Sequence, residues 1–157
     1  MSVLAPIVAI TGILAAGIIY GTDAFCALVQ RPALTTLDDA TLTAVMGRIH
    51  QYGDRRLPAP GVIGILAAAV TTTAATIRGS VPAAVAAGVA LVFMLAWLSL
   101  YRGVAAPINR ALTAAATTHE TLDNARRLQS RWDSIITARA VLMAVAVAGL
   151  AISAAVR

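Results

Sequence analysis

His50 and Asp54 stand four residues apart in the run His50-Gln51-Tyr52-Gly53-Asp54-Arg55-Arg56, so a helix through them puts imidazole and carboxylate on one face. A carboxylate beside an imidazole raises the pKa of the ring, a pairing suited to a general base. Arg139 offers a cation. It is flanked by apolar residues about one turn inside a hydrophobic segment, where it can snorkel, pair with Asp23 or Asp54, or hold an anion. Asp23 falls at the end of another hydrophobic segment, on one helical face with Tyr20 and Cys26. A carboxylate so close to hydrocarbon is paired, water-facing or protonated. Asn109 follows Pro107 and can satisfy a carbonyl that the proline frees. Trp132 fits an aromatic residue at a membrane interface, and Arg55 and Arg56 fit interfacial anchors.

The elements that must position these groups follow from composition. In 157 residues, 59% are hydrophobic and 12% charged, with a mean hydropathy of +0.82. That excludes a soluble domain of this size, because so few charges cannot cover so much apolar surface. Lipid is the matching solvent, and the chain reads as a single domain with four spans, at about 3–29, 61–77, 81–101 and 135–156. A secretory signal peptide does not fit the N-terminus: no basic residue precedes Val3, and the apolar run is too long. Only helices satisfy the backbone in lipid at these lengths, so the fold class is all-α, an integral membrane four-helix bundle. Spans two and three are joined by the short turn Arg78-Gly79-Ser80. The connections Gln30–Pro60 and Arg102–Ser134 are long and read as helical, either lying on the membrane surface or extending the spans beyond it. Gly17-x-x-x-Gly21 and Gly64-x-x-x-Ala68 are spacings that let helices approach closely. Thr71, Thr72 and Thr73 are expected to bond back to their own helix.

All twelve basic residues are arginines. Ten belong to the two long connections and the flank at Arg139, against Arg78 and Arg157 on the other side. By the positive-inside rule the long connections are cytoplasmic and both termini outside. The net charge of +5 therefore reflects anchoring in a bilayer rather than nucleic-acid binding. With no lysine and abundant alanine, the expected setting is a bacterial inner membrane. One cysteine, Cys26, excludes an intrachain disulfide and reads as a small apolar helix residue. Two histidines without a His-x-x-x-His or Glu-x-x-His pair give a metal little support, and no phosphate loop or nucleotide fingerprint occurs. Because the span ends carrying Asp23, His50, Asp54, Asn109 and Arg139 all lie on one side of the membrane, these groups are expected to ring one mouth of the bundle.

Nearly the whole chain resembles a bacterial four-span membrane family, of largely unknown function, that includes the anthrone oxygenases. The resemblance is carried by Thr11-Gly12 and Gly21, Arg31-Pro32-Ala33-Leu34, Pro107-Ile108-Asn109, Arg131-Trp132 and Arg139, in that order. The chain departs from the family pattern at Ala105, where an asparagine is common, and at Ile135-Ile136, where an aromatic residue and a histidine are common. The resemblance implies oxidation of a phenolic, anthrone-type polyketide by O₂ without a required cofactor, a metal or haem staying open. On that implication His50, Asp54, Arg139 and Asp23 form the catalytic set, with His50 as base, aided by Asp54, and Arg139 as anion partner. Asn109, Tyr52, Trp132 and Tyr20 would contact a hydrophobic aromatic substrate arriving from the bilayer. The alternative is a non-catalytic scaffold or a subunit of a larger complex, and a homo-oligomer is compatible with either. A transporter is disfavoured, because mid-span polar groups are limited to Thr71–Thr73 and Ser99.

Overall fold

Helices account for nearly all of residues 4–156, which are the residues described by the computed structural model. Val3, where the first span was expected to begin, and Arg157, expected to close the last, lie outside the described residues. In chain order the elements are α1 (Leu4–Phe25), a π turn (Cys26–Gln30), α2 (Arg31–Leu34), α3 (Asp39–Arg56) and α4 (Pro58–Ile77). They continue with α5 (Val81–Leu100), a second π turn (Tyr101–Ala105), α6 (Ala106–Thr118) and α7 (Ala125–Ala155). No strand occurs among the described residues.

Four helices are long and apolar enough to cross a membrane: Pro6–Leu34, Pro58–Ile77, Val81–Thr118 and Ala125–Ala155. The chain is a multi-pass membrane protein. Its side chains are distributed in the manner of a bundle solvated by lipid. Large residues such as Leu14, Ile18, Leu66, Val70, Val85 and Val92 face outward, while Ala16, Ala68, Ala87, Ala90 and Ala146 are buried between helices. Lipid tails are as apolar as leucine, so bulk gains little by turning inward, and small residues let backbones approach. Helix α1 packs on α4 and α7, and α5 packs on the same two, closing a four-helix ring. Close approach comes from Gly64, where an added Cβ would lie 2.6 Å from Met94 Cε, and from Gly149, where it would lie 2.7 Å from the Ala86 carbonyl oxygen. Gly17 and Gly21 do not contribute: a Cβ on either meets nothing within 4 Å, so their spacing marks no contact in this chain. Thr72 and Thr73 donate to the Ala68 and Ala69 carbonyls, as expected of hydroxyls in mid-span.

The long connections resolve in favour of extension. Val81–Thr118 is one rod of 38 residues, roughly 57 Å, against a hydrocarbon core of about 30 Å. Helix α7 begins at Ala125, ten residues before the expected start of span four. The extended ends pack with α3 into a second core around Leu42, Met46, Ile108, Leu112 and Ile136, distinct from the membrane core around Ile19, Met94, Met143 and Leu150. Asp38 caps α3, its carboxylate accepting from the Thr41 amide (2.8 Å) and hydroxyl (2.9 Å), and these bonds hold its pKa below the usual value. Arg126 fastens the approach to α3 by donating to the Leu34 and Leu37 carbonyls and pairing with Asp39 at 3.1 Å.

Both π turns sit immediately before a proline-containing first turn, at Arg31-Pro32 and Ala106-Pro107. Proline has no N–H and crowds the preceding turn. The ladder responds by slipping: Arg31 N–H reaches Cys26 O and Ala106 N–H reaches Tyr101 O, each five residues back. Each rod thus continues past its proline with one residue of extra rotation.

Helix α3 is held to α6 by Gly47, whose missing side chain admits the Leu112 carbonyl and the Ala116 methyl, and by the Thr113 hydroxyl donating to the Gly47 carbonyl at 3.2 Å. Gly47→Ala is expected to destabilise the fold by about 2 kcal/mol, because backbone must move to admit the methyl. Gly17→Ala should be near neutral. Thermal unfolding in matched lipid or detergent checks the pair, and equal midpoints would contradict the α3–α6 packing.

Candidate functional site

Between the two cores lies a cavity of about 170 Å³, walled by α1, α3, α4, α5, α6 and α7. Its walls are mainly apolar, and the polar groups that reach it form a connected set. At its base Arg139 Nη2 donates to Asp23 Oδ1 at 2.8 Å. The other carboxylate oxygen accepts from the Trp97 indole N–H at 2.7 Å. Asp23 is 2% and Arg139 6% exposed, so the pair is removed from water. Three rings surround the guanidinium carbon, at 5.2 Å (Trp97), 5.7 Å (Tyr101) and 5.7 Å (Trp132) from their centroids. Such faces favour a desolvated cation through their negative quadrupole. Trp97 and Tyr101, one helical turn apart, are nearly parallel at 5.8 Å.

A second set lies above the first. Asp54 Oδ1 accepts from the Tyr101 hydroxyl and from Asn109 Nδ2, each at 2.9 Å. Asn109 in turn accepts from the Trp132 indole at 3.1 Å. Asn109 thereby joins α3, α6 and α7, rather than serving the backbone near Pro107 as the sequence led one to expect. The π turns aim side chains into the same region. Tyr101 begins the second one, and Cys26 and Gln30 bracket the first, with Cys26 Sγ–H donating to Gln30 Oε1 (3.1 Å) and Gln30 Nε2 to Met46 Sδ (2.9 Å).

His50 lines the cavity and packs on Trp132, centroid to centroid 5.5 Å. The expected His50–Asp54 pair takes a different form. Asp54 spends its Oδ1 on Tyr101 and Asn109, while His50 Nε2 is buried without a hydrogen-bond partner. The expectation that the carboxylate would raise the ring's pKa is corrected as well. Burial disfavours the imidazolium more than Asp54 favours it, and Arg139 adds repulsion, so the pKa is lowered to about 4. The ring is neutral at pH 7. Among the described residues lining the cavity, Arg139 Nε is the other buried side-chain atom without a partner.

Of the residues singled out by sequence, Asp23, His50, Asp54, Asn109, Trp132 and Arg139 all line this one cavity. Tyr20 and Tyr52 do not. Tyr20 is 38% exposed on the outside of α1, and Tyr52 is 54% exposed on α3 with Arg56 above its ring at 5.5 Å. Tyr52 lies between His50 and Asp54 in sequence, and the helical rotation that turns those two inward turns it out. Trp97 and Tyr101 were missed because they read as the body of span three. Their spacing of four residues, with two large aromatic groups on one helix face, was the available signal. Among the described residues no group of histidine, cysteine, aspartate or glutamate is arranged to hold a metal ion. The chain matches no family model, no curated protein and no solved structure.

The lowered pKa of His50 makes stability pH-dependent with a definite sign. The unfolded ring, with a pKa near 6.5, binds a proton that the folded ring refuses until about pH 4. Stability is therefore full above pH 6.5 and is expected to fall as pH drops toward 4, by roughly 3 kcal/mol at most across that window. Unfolding midpoints measured at pH 7.5 and 4.5 for the wild type and His50→Gln check this. The variant should lose less than the wild type, and parallel losses would show that the ring is not held neutral.

Proposed function

We propose that this cavity is the active site of a membrane-embedded oxygenase that oxidises a hydrophobic phenolic aromatic with O₂, the chemistry implied by the resemblance to the anthrone oxygenases. The observation that carries the reading is an apolar cavity ringed by aromatic side chains and lined by His50 and Arg139, each of which has a buried nitrogen, Nε2 and Nε, without a hydrogen-bond partner. A buried polar atom without a partner loses hydrogen-bonding free energy, and a ligand oxygen supplies it.

The roles follow from charge. The neutral His50 ring is free to accept a proton from an acidic C–H or O–H of the substrate. The imidazolium so formed lies beside the substrate anion, whose charge offsets the burial that otherwise disfavours it. Arg139, bonded to Asp23, which Trp97 also holds, sets its guanidinium charge beside the anionic oxygen from a fixed position. Asp54, bound to Tyr101 and Asn109, is a positioning residue for the α3–α5–α6 wall. For an anthrone-type substrate the activated methylene loses two hydrogens and gains one oxygen atom, and the second oxygen atom leaves as water. One O₂ balances the reaction, and the substrate supplies all four electrons. The membrane is the source of the substrate, and the arginine-rich end of the bundle, where the cavity lies, is the cytoplasmic one in a bacterial inner membrane.

Oxygen uptake by the purified full-length chain, measured against a detergent blank with phenolic aromatics of one, two and three rings, tests the reading. At least one should be consumed faster than the blank, and His50→Ala should lower kcat by about a hundredfold. Because the base must be neutral, kcat/KM should stay level as pH falls through 6.5 and decline only near pH 4. Uptake no faster than the blank with every compound would overturn the proposal.

A further inference from the structure

The cavity's size and its position in the bundle bear on which aromatic it takes. Engineered apolar cavities of about 150 Å³ hold one benzene ring. At about 170 Å³ this cavity accommodates a single ring with its oxygen substituents, whereas three fused rings exceed that volume. The wall is not closed on the lipid side. Ile49 and Val62 are among its lining residues, and they are 45% and 55% exposed. Val62 lies near the start of α4, just inside the span Pro58–Ile77, so the cavity meets the outer surface at membrane level. Leu57 and Pro58, at the corner between α3 and α4, complete an apolar rim. Among the polar residues of the lining, Arg139 and Asp23 are buried.

This arrangement suits a ligand that is polar at its head and apolar over the rest of its length. We infer that the cavity binds a single oxygenated aromatic ring, a phenol or hydroquinone head, whose hydrocarbon tail runs out past Ile49 and Val62 into the bilayer. The inference rests on the reading of the cavity as an aromatic substrate site, and narrows it from polycyclic phenols to tailed one-ring phenols. The head's oxygens lie against the Arg139 and His50 side chains, each of which carries a buried nitrogen with no partner in the protein. Its ring fills the space beside Trp97 and Trp132, and its tail stays in the phase from which the ligand arrives. A hydroquinone in this position gives two protons and two electrons to O₂, leaving quinone and hydrogen peroxide. No oxygen atom enters this product, so toward a hydroquinone the site acts as an oxidase, and no other reductant is needed.

The chain's two tryptophans, Trp97 and Trp132, both line the cavity, so intrinsic fluorescence reports its occupancy. The full-length protein in lipid nanodiscs, kept free of oxygen, is titrated with decylhydroquinone, unsubstituted hydroquinone and anthrone. Saturable quenching by decylhydroquinone is expected, with anthrone at least tenfold weaker. Val62→Phe, which narrows the rim without adding a tryptophan, should weaken decylhydroquinone about tenfold and leave unsubstituted hydroquinone unchanged. Anthrone binding as tightly as decylhydroquinone would overturn the one-ring inference while leaving an aromatic substrate in place. An unchanged affinity in Val62→Phe would overturn the path of the tail. Absence of saturable quenching by all three would remove the aromatic site itself.

Discussion

A carboxylate and a guanidinium, both almost wholly removed from water, bond to each other between α1 and α7. Everything around Asp23 and Arg139 is arranged so that this pair can exist. An unpaired charge at this depth costs several kcal/mol, so neither residue is tolerable without the other. Arg139 precedes the end of α7 by about 24 Å of helix, which puts it near the far side of a hydrocarbon core about 30 Å thick. Trp97 of α5 bonds the second oxygen of Asp23, so three of the four spans meet at one carboxylate. The pair fixes the rotation of each of these helices. Small residues in the membrane core then let the backbones close around it.

The cavity follows from that fixed point. Above the pair, Trp97, Tyr101 and Trp132 stand around the guanidinium. Two prolines act at the same level. Pro32 and Pro107 each force a π turn just ahead of them, and the turns carry Cys26, Gln30 and Tyr101 to the cavity wall. Beyond the membrane, α3 folds back on α6 through Gly47 and brings His50 and Asp54 over the space as a cap. The result is an apolar chamber with charge at its base, a neutral imidazole in its wall and exposed apolar side chains at its rim.

Much of this was legible in the sequence, for identifiable reasons. Span existence follows from long apolar runs, and the convergence of Asp23, His50, Asp54, Asn109 and Arg139 follows from span polarity. Trp132 was legible as an interfacial aromatic residue, although the structure gives it bonds to Asn109 and a face toward Arg139. What the sequence withheld depends on rotation and depth. The i, i+4 spacing puts His50 and Asp54 on one face, but Tyr101 and Asn109, distant in sequence, compete successfully for the carboxylate. The ring's pKa then falls to about 4 because burial, invisible in a linear pattern, dominates over the charge of a neighbour. Gly17 and Gly21 have the spacing of a packing motif, but face away from every other helix. Helix α7 begins ten residues before the expected span four, because Arg126, Arg127 and Arg131 mark a charged segment that the helix nonetheless continues through.

The organising role of the buried pair is open to a direct measurement: a double-mutant cycle on Asp23→Asn and Arg139→Gln, with unfolding free energies determined in the same lipid environment. Each single variant leaves one uncompensated group, and the double variant leaves two neutral amides that can bond to each other. A coupling energy of about 2 kcal/mol or more is expected, with the double variant less damaged than the sum of the singles. Additive losses, within about 0.5 kcal/mol, would show that the two residues act independently and that the bundle is not built around their contact.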